Sequence, residues 1–233
     1  MSRAGGRSPA AGSDSLSAMK VFEELRAVAN PVKATEMRAY MRDQFDFLGV
    51  PTPVRRAVSR EFLRNTDKGH VDWGFIDACW AQPEREFQYL AVDYLSACRR
   101  ALTSADIPAL RRLITTKSWW DTVDGLDAVV GDVVARDPGV QATMLAWSKD
   151  DNFWLRRAAI DHQLQRKTQT DVALLRQIIE NNLGQTEFFV TKAIGWALRD
   201  YAKTDPDWVR AFVDANRDRL APLSIREATK HLR

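Results

Sequence analysis

The feature that most restricts this chain is a repeat: a large aromatic residue just after a polar cap recurs at Arg85-Glu86-Phe87, Lys117-Ser118-Trp119, Asp151-Asn152-Phe153 and Thr186-Glu187-Phe188. The spacings are 32, 34 and 35 residues, and Thr52-Pro53 carries the register one repeat further toward the N-terminus. From Ser17 onward apolar residues fall at helical spacing almost without interruption, and no segment keeps the alternation of a half-buried strand. Punctuation such as Asn30-Pro31, Gln82-Pro83, Thr103-Ser104, Asp137-Pro138, Asp205-Pro206 and Ala221-Pro222 divides the chain into about a dozen helices of ordinary length. A period near 34 residues means stacked helix pairs. The expectation is an all-α helical-repeat solenoid, an α-α superhelix whose concave wall is lined by the second helix of every pair. Residues 1–16, rich in Gly, Ser, Ala and Arg and without apolar periodicity, are expected to form a disordered tail, and residues 17–233 a single repeat domain.

Several chemistries are disfavoured at once. The two cysteines, Cys79 and Cys98, lack nearby histidine partners, which supports neither a disulfide framework nor a zinc site and suits a reducing compartment. His70, His162 and His231 are scattered, so no histidine-centred metal site or triad is expected. No apolar run approaches the roughly 18 residues of a membrane span, and the opening residues lack the apolar core of a secretion signal. A cytoplasmic protein is expected. With a net charge of +3 and a pI near 8.9, a polyanion partner would have to be met by a local patch and not by a global field.

The candidate chemistry centres on Thr115–Gly125. Ser118 followed three residues later by Asp121 matches a helix-capping pattern and predicts a helix beginning at Ser118. Trp120 and Asp124, four residues apart, then share a face, with the indole one turn before the carboxylate. A solvated acid near the positive end of a helix needs no further purpose, but Asp124 is surrounded by Trp120, Val123, Leu126, Val129 and Val130, which places it at the edge of packed surface. Trp119 and Trp120 point about 100° apart, so one of them should face the cleft. Trp73, Trp80, Trp147 and Trp208 are assigned to the core. Arg156-Arg157, Arg166-Lys167, Lys192, Arg199 and Lys203 are singly ordinary cations; arrayed at repeat spacing they make a track for phosphates. Gly195, inside a helix, costs roughly 1 kcal/mol relative to alanine, so either close helix packing or the close approach of a ligand should want its small size. Trp120, Asp124, Arg157, Lys192, Trp196 and Arg199 therefore form the candidate set on the inner wall.

Three segments carry a resemblance: Thr116-Lys-Ser-Trp-Trp-Asp-Thr-Val-Asp124, Asp151-Asn-Phe-Trp-Leu-Arg-Arg157-Ala-Ala-Ile and Lys192-Ala-Ile-Gly-Trp196-Ala-Leu-Arg199. With support from Phe47-Leu-Gly-Val-Pro-Thr-Pro and Pro83-Glu-Arg-Glu-Phe-Gln, the chain resembles the AlkD-type DNA glycosylases of the HEAT-like repeat superfamily from about residue 19 to residue 233. The resemblance implies that Asp124 is the catalytic carboxylate, that Trp120 and Trp196 flank the lesion, and that Arg157 lies at the DNA. It also implies duplex contacts by Tyr40, Thr52, Arg56 and Arg199. Pro51 and Gln165 depart from it, standing where residues better able to contact DNA are expected. The implied activity is hydrolysis of the N-glycosidic bond of cationic N3- or N7-alkylpurines in double-stranded DNA, without base flipping, by a monomer acting at the bacterial nucleoid with no metal or cofactor.

The residue types fit that chemistry. An alkylpurine cation leaves without protonation, so one carboxylate suffices to stabilise the oxocarbenium ion that develops. Indoles add cation–π contacts of ~0.5–2 kcal/mol each. No lysine nucleophile stands in the motif, so the expected product is an abasic site and not a cut strand. Two competitors follow from the same sequence. A catalytically silent protein for distorted or branched DNA would need Arg157 and Arg199 but not Asp124, and a helical-repeat protein scaffold would show no salt-dependent DNA binding.

Overall fold

Every helix or strand element among the described residues, 11–232 of the computed structural model, is helical, apart from one isolated β-bridge between Asp46 and Glu84. Of the expected tail over 1–16, residues 1–10 lie outside the described residues, and the remainder opens the helix α1 (Ala11–Ala27). Two compact units divide the chain after Cys98.

The first unit holds α1, α2 (Pro31–Tyr40), α3 (Thr52–Val58), α4 (Arg60–Asn65), α5 (Trp73–Ala81) and α6 (Arg85–Cys98). Its core is a cluster of rings, in which Phe22 lies 4.7 Å from Phe87 and Phe75 lies 4.9 Å from Tyr94. The segment leading into α3 is pinned by Glu86, a fully buried carboxylate that accepts the backbone N–H groups of Leu48, Gly49 and Val50, each at 2.9 Å. A buried acid is tolerated there because three donors replace its water. Gly49 is required as well: its φ is +79°, and a β-carbon would sit 2.0 Å from the Asn30 carbonyl oxygen.

In the second unit the chain makes four helix pairs: α7 (Ile107–Thr115) with α8 (Trp120–Arg136), α9 (Gln141–Trp147) with α10 (Phe153–Asp161), α11 (Val172–Glu180) with α12 (Phe188–Tyr201), and α13 (Pro206–Ala215) with α14 (Pro222–Thr229). The second helices pack in succession, α8 on α10, α10 on α12 and α12 on α14, while α9 packs on α11. This is the helical-repeat fold that the period predicts. Each junction has a local cause. Asn152 caps α10 through the Trp154 N–H, Glu187 caps α12 through the Phe189 N–H, and Asp171 and Asp205 cap α11 and α13 in the same way.

The expected cap at Ser118 is corrected. Helix α8 begins at Trp120, behind Trp119 and without a side-chain cap, because the Ser118 hydroxyl donates to the Ile114 carbonyl and so serves the end of α7. Asp121, in the first turn of α8, accepts the N–H of Thr122. Residues Val123, Leu126, Val129, Val130, Val133 and Val134 form the broad apolar stripe that buries α8.

Two glycines set how closely the second helices approach. A β-carbon on Gly131 would fall 2.1 Å from the His162 carbonyl oxygen at the end of α10, and one on Gly195 would fall 2.5 Å from the Glu227 β-carbon of α14. Close helix packing therefore accounts for Gly195. Gly131→Ala is expected to destabilise the protein by about 1–3 kcal/mol, since the atom it meets is backbone and cannot swing aside; a denaturant midpoint no lower than that of wild type would contradict this.

Candidate active site

Asp124 projects from the second turn of α8 and is met by Arg157 from α10. The Arg157 Nε donates to Asp124 Oδ1 at 2.8 Å, its Nη2 lies 2.8 Å from the same oxygen, and its Nη1 donates to the Phe189 carbonyl at 2.9 Å. Only 1% of the Arg157 side chain is exposed, against 30% of Asp124. The arginine is thus a buried clamp on one carboxylate oxygen, and none of the described residues donates to Oδ2. The guanidinium of Arg157 is enclosed and directed at Asp124.

Two further carboxyls lie behind the clamp, and sequence patterning did not single them out. Asp161, one turn after Arg157 on α10, holds Oδ2 3.6 Å from Arg157 Nη2; Asp127, one turn after Asp124 on α8, is likewise buried. Neither carboxyl accepts a hydrogen bond from any described residue. Asp124, Asp127 and Asp161 each bring an oxygen within 4.8 Å of the others. That spacing would suit a cation, and the guanidinium of Arg157 is the one already among them.

Burial pushes the Asp124 carboxyl above its usual range, an effect that Arg157 opposes. Burial, with Asp161 and Asp124 adding like charge, pushes Asp127 well above the carboxylate range. Asp161 is pushed up to about 7, by burial first, against the pull of Arg157. Burial works against the charge of Arg157, yet the three acids hold it above its ordinary value. The signal for both residues was legible, because Asp127 and Asp161 stand at apolar helical spacing among Val123, Leu126 and Val130 and after Ala158-Ala159-Ile160.

The adjacent indoles, both half-buried, part where the extended backbone at Trp119 turns into α8. Trp119 enters an aromatic cluster, 5.9 Å from Trp154 and 5.3 Å from Phe189, while Trp120 stays half-buried one turn before Asp124. Trp196, on α12, is half-buried beneath two cations, with the Arg157 guanidinium 5.1 Å and the Lys192 ammonium 5.8 Å from its ring. Arg157 therefore touches both Asp124 and Trp196. Trp80 and Trp147 are core as expected, whereas Trp73 and Trp208 are only half-buried, Trp208 stacking on Phe212 at 5.2 Å.

Lys192 and Arg199 share one partner, the Glu227 carboxylate of α14, at 2.8 and 2.7 Å. Hydrogen bonding from Lys192 holds the Glu227 carboxyl below its ordinary value. Both cations keep about a quarter of their side chains exposed, 25% and 26%. In the first unit, Tyr40 at the end of α2 and Thr52 and Arg56 on α3 are exposed, with Arg56 only 3.9 Å from Asp93. A cavity of about 300 Å³ lined by Gln141, His162, Gln163, Arg166 and Asp171 includes none of these candidates.

Among described residues no helix is long and apolar enough to cross a membrane. The family model described as DNA alkylation repair enzyme matches residues 21–232. A solved structure described as a predicted DNA alkylation repair enzyme from Enterococcus faecalis is similar with a TM-score of 0.80 and 35% sequence identity, over 88% of this chain and 96% of that chain. No curated protein matches the sequence.

Proposed function

Because the chain belongs to the DNA alkylation repair enzyme family, we propose that it is a monofunctional DNA glycosylase that removes cationic N3- or N7-alkylpurines from duplex DNA. The observation that carries this is the state of Asp124: a partly exposed carboxylate with Oδ1 clamped by a buried arginine and Oδ2 accepting from no described residue. Such a group is held in place before the substrate arrives, which is what electrostatic catalysis needs.

In the proposed reaction the C1′–N9 bond breaks and its electron pair leaves with the purine, which becomes neutral. Positive charge develops on the deoxyribose, and Asp124 Oδ2 stabilises it. A water oxygen then bonds to C1′, its proton passes to Asp124 or to solvent, and an abasic site remains. No general acid is required, because the leaving base carries its positive charge from the outset. The half-buried rings of Trp120 and Trp196 offer π faces to a cationic nucleotide, with Asp124 on the same helix face as Trp120. Acting on the base in the duplex, without flipping it, belongs to the same proposal.

Arg157 is assigned to holding Asp124 and not to gripping phosphate. Lys192 and Arg199 are proposed to meet the backbone while partly neutralised by Glu227, and Tyr40, Thr52 and Arg56 offer exposed groups for further contacts. The protein is proposed to act as a monomer, in the cytoplasm on nucleoid DNA.

The test is release of modified base from a duplex oligonucleotide carrying one N7-methylguanine, beside a binding titration at two salt concentrations. Base release above the spontaneous rate is expected, together with duplex affinity that falls roughly tenfold or more over a fourfold rise in salt. Binding without release would favour the silent DNA binder; no salt-dependent binding would favour the protein scaffold.

A further inference from the structure

Four charged side chains meet on the inner side of the Asp124 site, and their charges do not balance. Asp124, Asp127 and Asp161 face a single cation, Arg157, and both oxygens of Asp127 and of Asp161 are buried without a hydrogen bond. One cation cannot balance three ionised carboxylates in a dry interior, which favours protons held on the two buried ones.

Among the described residues, Arg157 alone lies within ion-pair distance of Asp161, and no cation lies within it of Asp127. α10 packs against α7, α8, α9, α11 and α12. From α8 come Asp124 and Asp127, with Asp121 adding like charge to Asp124, Asp132 paired with Arg99 and Arg136 bound to the Arg99 and Arg100 carbonyls, and α9 has no titratable side chain. Arg111 of α7 pairs with Asp150, and Arg112 is exposed; Arg176 and Glu180 of α11 pair with each other. On α12, Lys192 and Arg199 are held by Glu227 and Asp200 by Lys203, and Tyr201 is a neutral phenol. Next to Asp161, His162 is kept neutral, since burial lowers it to about 4.

We propose that Asp161 is a positioning residue for Asp124: beside Asp127, which keeps its own proton, it carries one exchangeable proton behind Arg157, and release of that proton draws Arg157 toward Asp161 and leaves Asp124 a less neutralised carboxylate. The geometry is set for the exchange, because Nη2 of Arg157 lies 2.8 Å from Asp124 and 3.6 Å from Asp161, the second just beyond hydrogen-bond reach. Asp161 never touches the substrate. Its effect on catalysis is electrostatic, since added negative charge behind the site favours a transition state that is becoming positive.

This rests on the glycosylase proposal for its consequence, but the stored proton can be tested without it. In the full-length protein labelled with carbon-13 at aspartate carboxyls, one buried carboxyl is expected to titrate near pH 7, and the Asp124 signal is expected to sense the same step. In Asp161→Asn both events should vanish, while Asp127→Asn should move the step. Base release by wild type should rise on the order of fivefold through the same range, and the Asp161→Asn profile should be flat there. Spectra with no titrating buried carboxyl overturn the proposal whether or not base is released, and so does a step that shifts when magnesium ion is added, which would make the trio a cation site. A titrating step with superimposable rate profiles overturns the positioning role. Failure of wild type to release base at any pH is a failure of the glycosylase proposal alone, and the spectra then decide the stored proton.

Discussion

Asp124→Asn is expected to lower single-turnover release of N7-methylguanine by roughly 10²–10³-fold while leaving duplex affinity within about threefold of wild type. The magnitude is that of removing one preorganised electrostatic group from a site where charge develops in the transition state. Asparagine keeps the shape and can still meet Arg157, whose charge retains Asp161 nearby, so the fold should survive. In the proposed reading, binding rests on other groups, chiefly Lys192 and Arg199 and the exposed residues of α2 and α3. The measurement is a pair of rate and binding curves on one oligonucleotide. A variant that releases base as fast as wild type would remove Asp124 from the chemistry.

Arg157→Met should produce the larger loss of stability, about 3–5 kcal/mol, because it strips the counterion from carboxyls that remain buried. The Phe189 carbonyl would also lose its donor. The deficit should depend on pH. Asp161 already titrates at about 7 in the folded protein, against ~3.9 for a free aspartate. Loss of the arginine raises the folded value further. A carboxyl held protonated above its unfolded value costs stability as pH rises, until its folded value is reached. In wild type that cost stops growing near pH 7; in the variant it goes on growing, so the gap between them should widen above about pH 7. Denaturant titrations on either side of that value test it. A gap that narrows with pH would contradict the buried-counterion role, and Asp161→Asn in the same background should recover part of the loss.

The fold was largely legible in the chain itself. The period near 34 residues set the helix pairs, and the caps at Asn152 and Glu187 stand where the polar-then-aromatic pattern put them. Ser118 misled because a hydroxyl at a helix junction can serve the helix behind it as well as the one ahead; here it bonds back to Ile114. The choice between two geometrically adjacent backbone partners is made by the path of the turn, and sequence does not encode that path in any local pattern.

Site residues divide along a similar line. Trp120 and Asp124 were found by spacing because they share one helix, and helical geometry alone places them together. Arg157 stands out in the sequence but its partner does not: its distance from Asp124 depends on how α10 meets α8, a contact across 33 residues of chain. Glu227, which occupies both Lys192 and Arg199, could not be anticipated for the same reason. Sequence by itself determined what is periodic and local here, namely the helices, their pairing and the face on which Trp120 and Asp124 lie. Only the tertiary structure decided which charges face each other in the interior. That pairing depends on the close approach of helices at Gly131 and Gly195, and in a medium of low dielectric it decides whether a carboxylate is bare, clamped or protonated.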